Sequence, residues 1–287
     1  MDITIEGLDY VYHPKTPFET NALHQVSMHI PAGTFAALLG PTGSGKSTLI
    51  QLIGGLLVPT AGKIQIGDLV IQKGSKNTSK LRGKIGLVFQ YPEKQLFAES
   101  IGKDIAFGPT NQGLNKKEIE IRVRKAMDMV GIPCDWYHRS PFTLSGGQMR
   151  KVAIAGVLAM EPEILILDEP TAGLDPQSQQ ELLKRIVDIH QQQRITILLV
   201  THQMDHAAKY AERIYLMKRG TCIAEGSPDE IFLQKELLLR LGLDLPEITK
   251  MILALNQKLT PPLPTNLFSI KQLVMALNKR RKKGVLL

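Results

Sequence analysis

The chain of 287 residues lacks an apolar run long enough to cross a bilayer. The longest beside any motif, Val152–Met160, falls far short of the ~20 residues a spanning helix needs. The start, Met1-Asp2-Ile3-Thr4-Ile5-Glu6, has no basic region followed by an apolar core, so no signal peptide is expected and the chain is expected to stay in the cytosol. Membrane association would then come from a partner or from surface charge. Cysteine is scarce: Cys134 and Cys222 form no C-x-x-C pair and read as reduced structural thiols. Six of the seven histidines have no metal-ligand partner at a suitable spacing, and the single tryptophan, Trp136, is expected to pack. No internal repeat is evident, and Gln191-Gln192-Gln193 is too short for a low-complexity tract and reads as a loop. Acidic residues are outnumbered, giving a net charge of +8, but five of those charges sit in Lys279-Arg280-Arg281-Lys282-Lys283. A solvated or frayed end and attraction to anionic headgroups, worth about 1 kcal/mol per basic residue at the surface, both fit such a run. A nucleic-acid partner is not expected.

What is present is more specific. Gly40-Pro41-Thr42-Gly43-Ser44-Gly45-Lys46-Ser47-Thr48 is a complete G-x-x-x-x-G-K-S phosphate-binding loop. Its glycines let consecutive backbone N–H groups surround phosphates, Lys46 reaches the β- and γ-phosphates, and the Ser47 hydroxyl suits Mg²⁺. The apolar run Phe35–Leu39 before it reads as a buried strand, and Ser47–Ile53 after it as a helix whose positive end favours an anion. Farther on, Ile164-Leu165-Ile166-Leu167-Asp168-Glu169 reads as a buried parallel strand that delivers two carboxylates to its C-terminal edge. Asp168 is placed to hold Mg²⁺ and Glu169 to act as general base on water. A second anion-binding helix start lies at Leu144-Ser145-Gly146-Gly147-Gln148, with a helix expected to about Met160.

These motifs, in this order, resemble the ATP-binding-cassette (ABC) ATPases over roughly residues 1–226. The resemblance implies that Tyr12 stacks on adenine, that Gln90 senses Mg²⁺ and a transmembrane partner, and that His202 contacts the γ-phosphate. It also makes Ser145, Gly146, Gly147 and Gln148 the signature, and Gly173-Leu174-Asp175 the loop that crosses to a second subunit. Since the P-loop already encloses its own nucleotide, the signature would address ATP bound to the other chain, so two ATP molecules are sandwiched between two cassettes. The implied fold is an α/β P-loop NTPase with a RecA-like core, an antiparallel β-subdomain, an inserted helical subdomain at about 94–161 and a C-terminal helical extension, 227–287.

The segments Val88–Phe97, Asp104–Pro109, Leu144–Gly156 and Thr201–Ala208 are similar to the ATPases of energy-coupling factor (ECF) transporters, and most like the second of their two ATPase types. That implies a second ABC ATPase as partner (a heterodimer, with a homodimer as alternative), a transmembrane coupling subunit and a membrane-embedded substrate-binding subunit. The chain would sit at the cytoplasmic face of the membrane and power uptake of vitamins or metal ions. Another ABC importer or exporter is the alternative. An ABC protein of DNA repair would need a long coiled-coil insertion for which residues 94–143 leave no room, and a translation-associated one would carry two cassettes. One departure is Lys151, where arginine is common; it keeps the charge and loses the planar fork. The segment Gln90–Phe97 suits docking of the membrane subunit, with Tyr91, Leu96 and Phe97 as apolar anchors and Glu93 and Glu99 as acceptors for partner arginines.

Periodicity supplies the remaining elements. Residues 1–34 alternate as half-buried strands, and Gln72–Arg82 reads as a polar surface loop. Residues 115–131 form a helix with Asn115 as cap, Glu118 closing a capping box, Ile119, Val123, Ala126, Met127 and Val130 on one face, and Gly131 as stop. Asp175-Pro176 opens another helix, carried on by Leu183, Ile186, Val187 and His190. Beyond Gly226, helical spacing is expected over Asp229–Leu241, Glu247–Leu259 and Ser269–Lys279, with Ser269 and Gln272 as a capping box and Pro261-Pro262-Leu263-Pro264 as a stiff connector. Such an extension either covers its own core or contacts the partner ATPase, and the resemblance to ECF ATPases favours the contact.

Overall fold

The computed structural model describes residues 1–75, 78–81 and 83–282. The chain opens with β1 (Ile3–Tyr12), β2 (Thr20–Ile30), β3 (Phe35–Leu39), α1 (Lys46–Ile53), β4 (Ala61–Ile66), β5 (Leu69–Gln72) and β6 (Ile85–Val88). Next come α2 (Ile101–Asn111), α3 (Lys116–Val130), α4 (Gly146–Leu158), β7 (Ile164–Asp168), α5 (Pro176–Gln193), β8 (Thr196–Val200), α6 (Met204–Tyr210), β9 (Arg213–Lys218) and β10 (Thr221–Gly226). The helices α7 (Pro228–Phe232), α8 (Lys235–Arg240), α9 (Glu247–Asn256) and α10 (Ile270–Lys282) follow. Among the described residues no helix is long and apolar enough to cross a membrane.

The strands form two sheets. One has the order β2-β1-β4-β5 and is antiparallel; the other has the order β10-β9-β3-β8-β7-β6, parallel except for β10. The period of two along a strand divides the central sheet's side chains between two cores. On one face Phe35, Ala37, Leu39, Leu165, Leu167, Ile197, Leu199, Ile214 and Leu216 meet α2, α3, α4 and α5. On the other, Ala36, Leu38, Ile164, Ile166, Leu198, Val200, Tyr215 and Met217 meet α1 and the antiparallel sheet. A central sheet buried on both faces explains why its strands read as unbroken apolar runs.

Local chemistry sets the helix ends. Asn115 and Glu118 form the expected capping box and Gly131 stops α3 in the left-handed region, φ 72°. Val123, Ala126, Met127 and Val130 are buried, and Ile119 is partly so. Several expectations need correction. Gln191–Gln193 is not a loop: α5 runs through it to Gln193 and is closed by Arg194, φ 53°, whose amide donates to the His190 carbonyl, while the buried His190 ring ties this last turn to the Ile195 carbonyl at 2.8 Å. The polar stretch 72–82 is not all surface, since Leu81 ends a 3₁₀ turn, Thr78–Leu81, and is buried in the core; residues 76, 77 and 82 lie outside the described part. β4 and β5, which finish the antiparallel sheet, have no counterpart in the sequence reading.

The span Asp229–Leu241 is two short helices, α7 and α8, broken at Leu233 and Gln234, and Ile231, Phe232, Leu238, Leu241, Leu243 and Leu245 join the main core. α9 and α10 instead form a small cluster of their own around Ile248, Ile252, Leu259, Leu263 and Leu273. The proline-rich piece is docked: both backbone groups of Leu263 are bonded by the Asn256 amide, at 2.6 and 2.9 Å. At the start of α10, Ser269 caps Gln272, but Gln272 bonds the amide of Phe268, not that of Ser269 as a closed box requires. The basic residues Lys279, Arg280 and Arg281 stand in the last turns of α10, and Lys283 lies outside the described residues.

Candidate functional site

At the C-terminal ends of β3, β7 and β8 lies an open cleft of about 740 Å³ lined by Tyr12, Thr42, Gly43, Gly45, Lys46, Ser47, Thr48, Gln90, Asp168, Glu169 and His202, together with Thr20, Asn21, Ala22, Arg219 and Gly220. Parallel sheets place ligands at this edge. Residues from more than 190 positions of sequence thus converge as the motifs require.

The loop geometry explains its glycines. Gly45 has φ 99°, and a Cβ there would sit 2.8 Å from the Ala22 carbonyl oxygen and from Leu23 Cδ2, so a side chain meets strain and backbone at once. Gly40, Pro41 and Ser44 do not line the cleft. Their groups hold Lys46, whose Nζ donates to the Gly40 and Pro41 carbonyls at 2.7 and 2.9 Å and lies 3.5 Å from Ser44 Oγ. Tyr12 faces the loop, its hydroxyl 3.3 Å from Thr48 Oγ1. Burial lowers the Lys46 ammonium's pKa, and the carboxylates of Glu169 and Asp168 oppose that shift.

Glu169 follows β7 with a left-handed backbone, φ 46°, a strained conformation for a residue with a side chain. Its amide donates to the Val200 carbonyl at 2.9 Å, and its carboxylate lies 2.7 Å from His202 Nδ1 and 3.5 Å from Thr201 Oγ1. Asp168 is more enclosed: burial, then the neighbouring Glu169, push its pKa up to about 6, with Lys46 pulling the other way. Between the ordinary carboxylate value of 3.8 and about 6 the folded chain therefore holds a proton on Asp168 that the unfolded chain releases, so the cost of burying its charge builds up over that range and is fully present above about 6. Asp168→Asn should raise the melting temperature of the nucleotide-free chain near pH 7.5, with a gain that shrinks as pH falls toward about 5. Calorimetry at the two pH values checks this; a gain independent of pH would contradict it.

The signature residues are elsewhere. Ser145 caps α4 and forms a capping box with Gln148, at 3.4 and 3.0 Å, and Gly146 and Gly147 open the helix outside the cleft. Asp175 caps α5, accepting from the Ser178 amide and hydroxyl at 3.0 and 2.5 Å, bonds that hold its pKa below the usual value. The two motifs are neighbours, since a Cβ on Gly147 would lie 3.5 Å from Leu174 Cδ2.

Two expectations about the segment after Gln90 resolve differently. Phe97 and Phe107 are 62% and 52% exposed and pack edge-to-face with ring centres 5.0 Å apart, so an apolar anchor is available. Leu96, by contrast, is buried, and Glu93 is no free acceptor. Arg150 grips its carboxylate through Nε and Nη2 at 2.9 and 2.8 Å. Burial alone would raise the Glu93 pKa; the Arg150 bonds outweigh it and lower it. Glu99 pairs with Lys103 on the surface. Lys151 reaches Glu181 only at 3.9 Å, the long contact expected of an ammonium in place of a fork.

Arg150, Arg219 and Thr201 are the residues that the motif reading left without a role. For Arg150 the signal was present: it falls at helical spacing with buried Ile154 and Leu158, a lone charge on an apolar stripe. Arg219 sits at the β9–β10 turn with φ 46°, and only the fold brings that turn to the P-loop, where the Gly220 amide donates to the Ser44 carbonyl at 3.0 Å.

Sheet order, P-loop and acidic strand end together define an ATP-binding-cassette ATPase. The family model described as ABC transporter matches residues 23–172. The chain is 47% identical over 286 residues to an energy-coupling factor transporter ATP-binding protein, EcfA2, of Bacillus cereus, covering 99% of this chain and 98% of the relative. To the protein of that name from Clostridium tetani it is 50% identical over 273 residues, with 95% and 94% covered. Among solved structures, cbiO1 from Clostridium perfringens, part of the ABC transporter complex cbiONQ, superposes with a TM-score of 0.74 at 41% identity, covering 87% of this chain and 97% of that one. The ATP-binding cassette MJ0796, in a dimeric post-hydrolysis state bound to ADP and Pi, superposes with a TM-score of 0.70 at 27% identity, over 79% and 98%. The chain belongs to the ABC ATPases, within the group of energy-coupling factor transporter ATP-binding proteins, and it binds and hydrolyses ATP.

Proposed function

We propose that this ATPase, paired with a second and related ATPase at the cytoplasmic face of the membrane, drives uptake of vitamins or metal ions through a transmembrane coupling subunit and a membrane-embedded substrate-binding subunit. The observation that carries the reading is the division of the nucleotide-site groups: Gly43, Gly45–Thr48, Gln90, Asp168, Glu169 and His202 share one cleft while the signature at Ser145–Gln148 opens outside it. A seat for phosphate with no nucleotide of its own is intelligible when a second cassette brings one. A homodimer would satisfy the same geometry; the wording most like the second ATPase type favours the heterodimer.

In this reading Tyr12 stacks on the adenine, and the amides of the Gly40–Thr48 loop with Lys46 hold the phosphates. Ser47, Gln90 and Asp168 line the cleft together, and their oxygen donors would hold a hard cation such as Mg²⁺. When bound, Mg²⁺ neutralises charge on the β- and γ-phosphates. Glu169 accepts the proton of the attacking water, His202 and Thr201 orient its carboxylate, and Gln90 reports the state of the cleft to the membrane subunit. Asp175 carries its loop toward the second cassette. Residues 1–226 act as the nucleotide-binding domain, with the helical subdomain at about 94–161, and the extension 227–287 serves in part as a contact for the partner ATPase.

Affinity purification from mildly solubilised membranes tests the assembly. A second ATPase, a shared membrane subunit and a small membrane-embedded binding protein should be recovered together. Phe97→Asp should lose the membrane proteins and keep the second ATPase, because it places an unpaired charge on the exposed aromatic pair. Recovery of this chain alone, or of an export permease, would contradict the reading.

A further inference from the structure

The Arg150 guanidinium ties together three segments that the reaction must keep in register. It is 2% exposed. Nε and Nη2 fork onto Glu93, three residues beyond Gln90, while Nη1 donates to the carbonyls of Pro170 and Ala172 at 3.0 and 2.7 Å. Arg150 itself stands on α4, five residues after Ser145. The Ala172 amide in turn donates to the Glu169 carbonyl at 3.1 Å, so the turn whose first residue is Glu169 closes onto the guanidinium. The Tyr91 ring lies against the same group, 5.9 Å from centroid to guanidinium carbon.

Glu169 occupies a left-handed backbone, and such strain persists only where the surroundings over-determine it. The Val200 carbonyl fixes one side of the turn; Arg150 fixes the other. Two buried carbonyls and the Glu93 carboxylate take four hydrogen bonds from one guanidinium, a fork that a lysine ammonium with three donors does not match. Any rotation of α4 or of the segment after Gln90 therefore pulls on the turn that aims Glu169.

We propose that Arg150 is a positioning residue for hydrolysis: it sets the place of the Glu169 carboxylate and makes that place depend on the signature helix and the Gln90 segment. The proposal rests on Glu169 being the general base. Arg150→Lys, Glu93→Gln and Glu169→Gln should be compared in the purified ATPase pair with MgATP, each alone and the first two also combined with Glu169→Gln. Arg150→Lys leaves buried acceptors short of donors and should lower the melting temperature; assayed where the pair is fully folded, it should keep the KM for ATP within about twofold while kcat falls about tenfold or more, as expected when a reacting group is displaced. Glu93→Gln leaves the Nη1 bonds in place and should lose about threefold in kcat. In the Glu169→Gln background neither should lower single-turnover hydrolysis further, because both act through the missing base.

An unchanged kcat in Arg150→Lys overturns the proposal. So do a kcat loss that vanishes once the folded fraction and ATP saturation are accounted for, and losses that multiply in the Glu169→Gln background. If Arg150→Lys fails to assemble, Glu93→Gln decides alone: a kcat loss that disappears in the Glu169→Gln background supports the proposal, and no loss or a multiplying one overturns it. Normal turnover in Glu169→Gln itself would instead undo the assignment of the base, so the two failures are separable.

Discussion

Replacing Glu169 with glutamine should leave ATP binding intact and lower turnover by about 100-fold or more, the usual cost of a positioned general base. Glutamine keeps the size of the side chain and one acceptor for His202, whose Nδ1 lies 2.7 Å from the carboxylate, so the cleft retains its shape. It lacks a basic oxygen for the proton of water. Lys46→Ala should fail at the earlier step. The ammonium is both a charge for the phosphates and the donor to the Gly40 and Pro41 carbonyls, so its loss removes the charge and frees the loop; ATP affinity should fall about tenfold or more. Equilibrium nucleotide binding and steady-state hydrolysis separate the two, measured with a partner ATPase whose own base has been replaced. Normal turnover in Glu169→Gln under that condition would refute the assignment.

Much of this was legible in the sequence because it is local. A P-loop after an apolar run, two acids ending another, and Asn115 with Glu118 ahead of a 3.6-residue stripe each state their structure within about a dozen residues. What was not legible depends on residues far apart. Glu93 looked like a free carboxylate because Arg150, its owner, lies 57 positions away. Arg219 reaches the cleft only because β9 pairs with β3 and its turn folds over the P-loop. Gln191–Gln193 looked like a loop because polar composition was weighed above the buried His190 just before it. The break at Leu233 and Gln234 follows from packing on the main core, which overrides an amphipathic pattern continuous in sequence.

With this chain's own base removed by Glu169→Gln, so that only the partner's P-loop site turns over, Gly146→Asp should lower the remaining hydrolysis by about 100-fold or more while leaving the chain's stability and its own nucleotide affinity unchanged. The argument turns on what surrounds the residue. A Cβ on Gly146 meets nothing within 4 Å, and its backbone needs no left-handed conformation, so the fold accepts a side chain. A carboxylate in the first turn of α4 is even favourable for the helix, by about 0.3–1 kcal/mol. Inside one chain the substitution is therefore harmless. Its effect arises only if a phosphate carried by the second cassette comes to this helix start, where the new charge would repel it. Unchanged turnover of the partner's site in that background would mean that α4 addresses no nucleotide.

The shared site is the central claim, and its most direct test is a crosslink in the ATP-bound Glu169→Gln assembly. Cys134, exposed, and Cys222, partly buried, are first replaced so that only engineered thiols react. With Ser145→Cys in this chain and a cysteine at a P-loop position of the partner ATPase, oxidation should join the two chains when ATP is present, and should do so much less without it. No bond between the chains in the trapped complex, or a yield that ATP does not raise, would contradict the account.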